Sequence, residues 1–221
     1  MAKKKKKRLR IGRLFLLLII IGAIFFACYK FVDIPILNVN IKGNEILTDD
    51  EILKESKLED YPSYFSVISL IVKNNLKKNP YIKDVKVTKG FLNVNITIKE
   101  EKVLYIIKEK NEKVMLSSTS KDEKIVCAPY LTGAIPTGKE KRFKKAMNKI
   151  NKDMLCEISE IKHDPNEIDK DRYFAYMNDG NKVYLTINKF DKINKYNKIL
   201  ENIGRGNGTL YLDYGDYYEA N

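Results

Sequence analysis

The feature that most constrains the fold of this chain is an apolar run close to its N-terminus. Residues 14–29 read LFLLLIIIGAIFFACY, sixteen residues without a charge, between Arg13 and Lys30. Basic side chains at the ends of such a run reach back towards water, which extends the span to about 20 residues and matches a bilayer core of roughly 30 Å. The run therefore predicts a transmembrane helix over residues 14–32.

The residues before this helix are strongly basic. Residues 1–13 contain eight basic side chains and no acid, and six of them are consecutive: Lys3, Lys4, Lys5, Lys6, Lys7 and Arg8. By the positive-inside rule, this end stays in the cytoplasm and the chain from about Asp33 onward lies outside. The six-residue cluster is predicted to contact anionic lipid, where each basic residue contributes on the order of 1 kcal/mol.

Two alternatives to a permanent anchor have less support in the sequence. A cleaved signal peptide has a shorter apolar stretch and small residues at its exit, whereas Phe25, Phe26 and Ala27 stand there in this chain. Cys28 after Ala27 is a feature of lipid attachment, but Phe25 and Phe26 occupy positions where such sites favour an aliphatic and a small residue. We expect an uncleaved signal-anchor.

The rest of the chain has a globular and nearly balanced composition. The 221 residues include 41 basic and 29 acidic side chains, with a formal net charge of +12. Removal of the eight basic residues of the tail leaves 33 basic against 29 acidic side chains, so no nucleic-acid partner is expected. With 44% hydrophobic and 32% charged residues, this length allows one ordinary domain or two small ones.

Residues 36–99 predict the order β-α-α-β-β. Period-two alternation marks an early strand, and Thr48 with Glu51 forms the sequence of a capping box at the start of a short helix. A second helix is predicted by one apolar face, made by Ile68, Ile71, Val72 and Leu76. A hairpin that turns at Lys89 and Gly90 is predicted by two alternating runs, Val85 and Val87, then Leu92, Val94, Ile96 and Ile98.

Beyond Lys102 the pattern predicts a β-rich domain with two helices, so the fold class is α+β. Strands are expected at residues 103–108, 158–162 and 173–177, and Asn178, Asp179 and Gly180 form a hairpin signal before the next one. One helix is marked by Phe143, Met147, Ile150 and Met154, and the other by Phe190, Ile193, Ile199, Leu200 and Ile203. A final strand is expected at Leu210, Leu212 and Tyr214.

The cysteines and the lone histidine offer little chemistry. Cys127 and Cys156 are expected as two free thiols in or near the core, although oxidation to one pair is permitted outside the membrane. His163 is the single histidine, so no metal site or catalytic triad that needs several imidazoles can be assembled.

Three strings mimic functional motifs. Residues 133–139 approach a P-loop, but Glu140 replaces the Ser/Thr that holds Mg²⁺, and Ser118 with Lys121 fits S-x-x-K without its partner motifs. An acidic cluster lacks the spacing of an EF-hand and is interpreted as a solvated loop: Asp164, Glu167, Asp169 and Asp171. The sequence supports no catalytic, cofactor or metal site, and we expect the protein not to be an enzyme.

Four strings follow the basic tail and the single predicted anchor: ILNVNIKGNEILTDDEIL, LIVKNNLKKNPYIKDVKVTKG, FLNVNITIKEEK and KILENIGRGNGTLYLDYGD. In this order, these features resemble the FtsQ/DivIB family of bacterial cell-division proteins. The resemblance covers about residues 6–219, with residues 111–138 matching weakly. It implies a POTRA domain over residues 33–102 and a β domain over residues 103–221.

The tyrosine-rich C-terminus is the candidate partner-binding site. The residues concerned are Leu210, Tyr211, Leu212, Asp213, Tyr214, Tyr217 and Tyr218. One interpretation is that the even-numbered residues of this strand simply fill the core. The other is that Tyr side chains, which suit interfaces, stand on a sheet edge open to an added strand. Both interpretations remain open at this stage.

The resemblance implies a scaffold of the division machinery. Such a protein uses its last strands to bind small bitopic coiled-coil proteins, FtsL and FtsB/DivIC, and helps regulate the septal peptidoglycan synthase complex at the division septum. No cofactor is implied. The alternative is a single-pass envelope sensor or wall-polymer-binding module unrelated to division.

Overall fold

The computed structural model describes residues 11–204 and 206–220, which form two compact units. The first unit contains residues 11–42, Thr48–Leu76 and Val85–Ile98. The second contains Gly43–Leu47, Lys77–Asp84 and the chain from Lys99 onward. The basic cluster at residues 3–8, predicted to contact lipid, lies outside the described residues.

The first unit begins with α1, a 22-residue helix from Ile11 to Val32. Its large apolar side chains are exposed, with Leu14 at 53% and Phe25 at 77% of their full accessible area. Among the helices within residues 11–204 and 206–220, none combines the length and the sustained apolarity that a membrane crossing requires.

The chain that follows α1 shows the predicted β-α-α-β-β order. The strands are β1 (Asn38–Lys42), β2 (Ile82–Gly90) and β3 (Asn93–Glu100), and the helices are α2 (Asp49–Ser56) and α3 (Ser69–Leu76). In the sheet, β3 lies between β1 and β2, and β1 runs parallel to β3. The alternation predicted for β3 is confirmed, because Val94, Ile96 and Ile98 are all buried.

The capping box predicted for α2 is confirmed. Thr48 Oγ1 accepts from the backbone N–H of Glu51 at 3.3 Å, and the Thr48 N–H donates to Glu51 Oε2 at 3.0 Å. Each bond gives a partner to a backbone N–H at the start of the helix, where no carbonyl of the helix itself can accept it. Lys57 ends the helix in the left-handed conformation, with φ at 60°.

Two predictions in this unit are wrong in detail. Of the four residues expected on the buried face of α3, only Val72 and Leu76 are buried, whereas Ile68 and Ile71 are 53% and 52% exposed. The reason is the length of the helix: eight residues present little more than one i, i+4 pair to the sheet. The hairpin turns at residues 91–92, not at Lys89 and Gly90. Lys89 stays in β2, where its ammonium group donates to the Tyr64 and Val67 carbonyl oxygens.

The second unit is built on a nine-stranded mixed sheet with the order β12-β11-β10-β9-β8-β7-β4-β5-β6. Its strands are β4 (Val103–Ile107), β5 (Glu112–Met115), β6 (Thr119–Ser120), β7 (Tyr130–Leu131), β8 (Ile158–His163), β9 (Arg172–Met177), β10 (Lys182–Thr186), β11 (Gly208–Tyr211) and β12 (Tyr217–Ala220). Its helices are α4 (Glu140–Met147), α5 (Lys152–Glu157), α6 (Tyr196–Ile203) and two 3-10 segments, Lys108–Lys110 and Ile187–Lys195.

Phe143 of α4 is the centre of the core of this unit. Its ring is fully buried and contacts Tyr105 of β4, Tyr173 of β9 and Phe190 of the second 3-10 segment, at centroid distances of 5.2, 4.9 and 5.9 Å. The apolar face predicted for this region is confirmed, but it belongs to two short helices. The helical conformation is interrupted between Met147 and Lys152, and both helices bury their apolar residues in one core.

Inside the sheet the shortest strand is β7, and only the edge strand β6 is equally short. The two-residue strand β7 pairs in parallel with β4 on one side and with β8 on the other, through two residue pairs each. Beside it, Cys127 and Cys156 form a disulfide with Cα atoms 5.0 Å apart, so the prediction of two free thiols is wrong. The irregular chain that leads into β7 brings Cys127 against α5, a placement that no local pattern specifies.

Candidate partner-binding surface

The C-terminal edge of the large sheet is formed by β12, not by the strand that the sequence predicted. The expected strand at residues 210–214 ends at Tyr211 as β11, and β11 is covered on both sides. It pairs in parallel with β10 and antiparallel with β12, with Tyr211 opposite Tyr217 and Leu210 opposite Tyr218. In the described part of the chain no strand lies beyond β12, so the outer backbone groups of Tyr217–Ala220 form the open edge.

One face of the sheet carries an aromatic ladder, which we define as Phe174, Tyr184, Tyr211 and Tyr217. These four residues are directly opposite one another on β9, β10, β11 and β12. Successive ring centroids are 4.9, 5.2 and 4.4 Å apart, and the last two contacts are parallel stacks. Exposure rises from 4% at Phe174 to 54% at Tyr217, so the ladder ends with an open ring at the edge.

Arg172 and Asp213 hold the chain between β11 and β12. The Arg172 guanidinium lies 3.5 Å above the Tyr184 ring and donates through Nε to Asp213 Oδ2 at 2.7 Å. Lys189 Nζ donates to the backbone oxygen of Asp213 at 2.8 Å. Asp213 is buried, with Oδ2 paired to Arg172 and Oδ1 without a hydrogen-bond partner among the described residues. Its pairing with Arg172 holds the turn that leads back towards the edge.

A polar cluster on the other side of the sheet fixes the far end of β12. The buried Asn181 accepts from the Gly208 N–H through Oδ1 at 2.7 Å and donates through Nδ2 to Asp179 at 3.0 Å. Tyr196 also donates to Asp179, at 2.7 Å. Burial opposes ionisation of Asp179, but these donors outweigh it and hold the pKa of that carboxyl below its usual value. Burial, followed by the hydrogen bond to Asp179, raises the pKa of Tyr196.

Gly208 allows β12 to approach the sheet closely. A Cβ atom at this position would lie 2.3 Å from the Glu219 carbonyl oxygen and 2.5 Å from the Tyr218 ring. Real Cβ contacts are not so short, so any residue other than glycine at position 208 would push β12 away from β11. The Tyr218 hydroxyl completes the contact by donating to the Gly206 carbonyl at 2.7 Å.

A groove of about 320 Å³ lies on the helix side of β12. Its floor is apolar, and an ion pair between Lys192 and Asp216 stands at its rim, with 2.6 Å between Nζ and Oδ1. Its apolar lining consists of Ile199, Ile203, Leu210, Leu212, Tyr217 and Tyr218. The edge thus has stacked rings on one face and an apolar hollow on the other.

The structure divides the predicted site residues into two groups. Leu210, Leu212 and Asp213 are buried, so the expectation that the first two fill the core is confirmed. Leu210 and Leu212 also line the floor of the groove, whereas Asp213 does not. The exposed or half-buried ones are Tyr211, Tyr214, Tyr217 and Tyr218. Tyr214 is 78% exposed in the turn before β12 and makes no ring contact in the ladder.

Four residues of this surface were not anticipated: Arg172, Phe174, Asn181 and Tyr184. The alternation of aromatic residues in β9 and β10 was a signal for Phe174 and Tyr184, but only the register between strands brings their rings next to Tyr211. Nothing local points to Arg172 or Asn181, because their partners lie about 30 to 40 residues away in sequence, as the Arg172–Asp213 and Asn181–Gly208 bonds show.

The motif-like strings have structural roles. Lys139, at the end of the P-loop-like string, pairs with Asp171, which also accepts from Arg142 at 2.6 Å. The hydrogen bond from Lys139 comes first among the causes that lower the pKa of Asp171. Ser118 of the S-x-x-K string donates to the Pro80 carbonyl at 2.7 Å. Within residues 11–204 and 206–220, no group of three or more His, Cys, Asp or Glu side chains is arranged to hold a metal ion.

Comparison with known proteins identifies the family. The family model described as "POTRA domain, FtsQ-type" matches residues 34–101. The cell division protein DivIB of Listeria monocytogenes is 31% identical over 98% of this chain and 84% of its own length. DivIB of Bacillus anthracis is 30% identical over 97% of this chain and 85% of its own length.

A solved structure is also similar: the major extracytoplasmic domain of the cell division protein DivIB from Geobacillus stearothermophilus. It is 24% identical, with a TM-score of 0.37, and the match covers 46% of this chain and 92% of that one. The DivIB proteins of Listeria monocytogenes and Bacillus anthracis, which align with nearly the whole of this chain, show the family. This chain belongs to the DivIB family of bacterial cell division proteins, with an FtsQ-type POTRA domain followed by a β-rich region.

Proposed function

We propose that this protein is a non-enzymatic scaffold of the division machinery, and that it captures small bitopic coiled-coil proteins of the FtsL and FtsB/DivIC type. Its membership of the DivIB family supports a role in cell division. The observation that carries the binding mechanism is the open edge of β12, where the outer backbone N–H and C=O groups of Tyr217–Ala220 face away from the sheet.

The mechanism of capture is strand addition. An extended partner segment pairs with the outer edge of β12, and main-chain hydrogen bonds supply the affinity. Its side chains alternate between the two faces, so every second one meets the exposed ring of Tyr217 and the others meet the apolar groove. Specificity comes from these two different environments on either side of one strand.

The part of the chain around α1 holds the protein in the membrane. Support comes from the sequence, in which sixteen uncharged residues separate Arg13 from Lys30 and the basic tail precedes them. The exposed apolar side chains of α1 are consistent with lipid contact. The chain after α1 lies outside the membrane at the division septum, where the captured partners connect this scaffold to the septal peptidoglycan synthase complex.

The test compares two Tyr→Glu variants in full-length protein co-purified with tagged FtsL-like and DivIC-like partners. Tyr217→Glu places a charge at the open end of the ladder, and we expect partner recovery to fall at least about tenfold because a buried, unpaired carboxylate is costly. Tyr130→Glu is the matched control, since Tyr130 is 42% exposed on β7 of the same sheet, far from the edge.

A second pair of variants tests the strand itself. Gly208→Ala forces β12 away from β11, whereas an added Cβ at Gly206 meets its nearest atom at an ordinary 3.9 Å. We expect Gly208→Ala to lose the partners and Gly206→Ala to keep them. Full recovery of the partners by both Tyr217→Glu and Gly208→Ala would exclude capture at this edge.

A further inference from the structure

Exposed apolar side chains collect at one end of the first unit. Six large ones after α1 are at least half exposed, from 50% at Phe65 to 84% at Phe91. We call this group the apolar end: Leu37, Phe65, Ile68, Leu70, Ile71 and Phe91. A protein free in water rarely leaves such a cluster uncovered, so these side chains indicate a partner surface.

Backbone hydrogen bonds show that the three segments carrying these side chains lie together. The Leu37 N–H donates to the Leu92 carbonyl, in the turn between β2 and β3, at 2.8 Å. The Tyr64 N–H, in the loop that leads to α3, donates to the Ile34 carbonyl at 2.8 Å. Strands β1 and β3 run parallel and begin side by side here. The apolar end is therefore one region, where both strands and α3 begin.

This region is also tied to the end of α1. The Ser63 hydroxyl donates to the carbonyl of Val32, the last residue of α1, and Ser63 forms a bridge with Pro35. Leu37 lies five residues after Val32, which limits the distance between their Cα atoms to about 17 Å. Val32 is itself 55% exposed, so the apolar surface of α1 continues into the apolar end.

The apolar end carries almost no charge. Three stretches without Asp, Glu, Lys or Arg form it: residues 34–41, 61–72 and 90–98. Lys89, which borders the third stretch, donates its ammonium group to the Tyr64 and Val67 carbonyls and lies 4.0 Å from the centre of the Tyr64 ring. Asp33 and Asp60 border the other two stretches. Charge is thus found at the rim, and apolar or uncharged polar groups fill the middle.

We propose that the apolar end lies in the interfacial layer of the membrane, beside the point where α1 leaves it. This second contact rests on the proposed function, in which α1 holds the protein in the membrane. A lipid surface is the occupant that fits, because the apolar end adjoins the last turn of α1, where a bound protein would first have to displace lipid. Apolar faces of this kind enter the headgroup boundary to a depth of about 5–10 Å. The exposed ring of Tyr61 suits that layer, which favours Tyr.

The contact fixes how the first unit stands on the membrane. An anchor alone lets the unit pivot about residues 33–35, whereas two contacts hold its sheet at one tilt. Because β1 and β3 begin at the apolar end, both strands then lead away from the lipid. Lys42, the exposed last residue of β1, lies about 13 Å along the strand from Asn38 and stays in water.

The experiment uses full-length Cys28→Ser protein in vesicles of phosphatidylglycerol and phosphatidylcholine. An environment-sensitive fluorophore is attached at Phe91→Cys or at Leu70→Cys, with Lys42→Cys as the matched control, while the two disulfide-bonded cysteines do not react. A nitroxide at the headgroup end of the acyl chains is the quencher. We expect fluorescence at both test positions to fall at least about twofold, and that at Lys42 to fall by less than about 1.2-fold.

A label at Ile20→Cys, in the middle of α1, tests the anchor separately with a nitroxide deep in the acyl chains. Quenching at Ile20 but not at Phe91 and Leu70 would overturn this inference and leave the anchor intact, whereas no quenching at any of the three would overturn both. Quenching at Lys42 as strong as at Phe91 would also contradict the contact. Labels shielded only after FtsL-like and DivIC-like partners are added would assign the apolar end to a protein and overturn the proposal. Circular dichroism checks that each variant is folded.

Discussion

The disulfide between Cys127 and Cys156 closes a loop of 29 residues that contains β7 and α4. Its removal should destabilise the second unit, because the unfolded chain then gains the conformational freedom that the cross-link denied it. With a loop of this length, the chain-entropy relation gives a loss of about 3.5 kcal/mol in the free energy of unfolding. For a unit of this size, that loss corresponds to a fall in Tm of roughly 10 °C.

The assay is thermal unfolding of the Cys127→Ser/Cys156→Ser variant, followed by tyrosine fluorescence because the chain contains 14 Tyr and no Trp. Unchanged protein treated with a dithiol reductant should melt with the double variant, while untreated protein melts higher. Cys28→Ser, which removes the third cysteine, is the control and should leave the transition of the second unit unaltered. If untreated and reduced protein melt within about 1 °C of each other, the reasoning fails.

Two other perturbations test the packing and the charges of the second unit. Phe143→Ala removes the ring that contacts Tyr105, Tyr173 and Phe190. In urea titrations this variant should lower the free energy of unfolding by about 3–5 kcal/mol. The control Phe91→Ala, at a position that is 84% exposed, should change the free energy of unfolding by less than about 0.5 kcal/mol. Acid should weaken the same unit through Asp122. Burial opposes the ionisation of this carboxyl group, but hydrogen-bond donors that include Ser120 and the Lys113 ammonium outweigh the effect of burial. Together they lower the pKa of Asp122 from 3.8 to about 2. Because the folded pKa is depressed, the stabilisation is present above the unfolded value and is lost as the pH falls from about 4 to 2. Asp122→Asn should flatten the stability curve in that window, and an unchanged acid limb would contradict this assignment.

Local signals were sufficient for much of the fold. The capping box depends on Thr48 and Glu51, three residues apart, and the buried side of β3 depends on strict alternation at Val94, Ile96 and Ile98. Both are decided within one turn or one strand, so the sequence alone specifies them.

What the sequence did not specify depends on distant partners. Apolar spacing runs without interruption through the break between α4 and α5, because both helices bury residues in one core. The last strand, YYEA, has no apolar alternation and is fixed by its pairing with β11 and by the Tyr211–Tyr217 stack. Cys127 and Cys156 come together only through the path of the chain before β7.

The short strand β7 has a mechanical consequence for any load that reaches the sheet through its β12 edge. From β12 to β8, each junction between neighbouring strands has three to five residue pairs, whereas each side of β7 has two. Tension applied at β12 therefore meets the fewest paired residues at the two sides of β7. The disulfide joins residues just before β7 and just before β8, so a covalent bond reinforces the junction between two strands that share only two residue pairs.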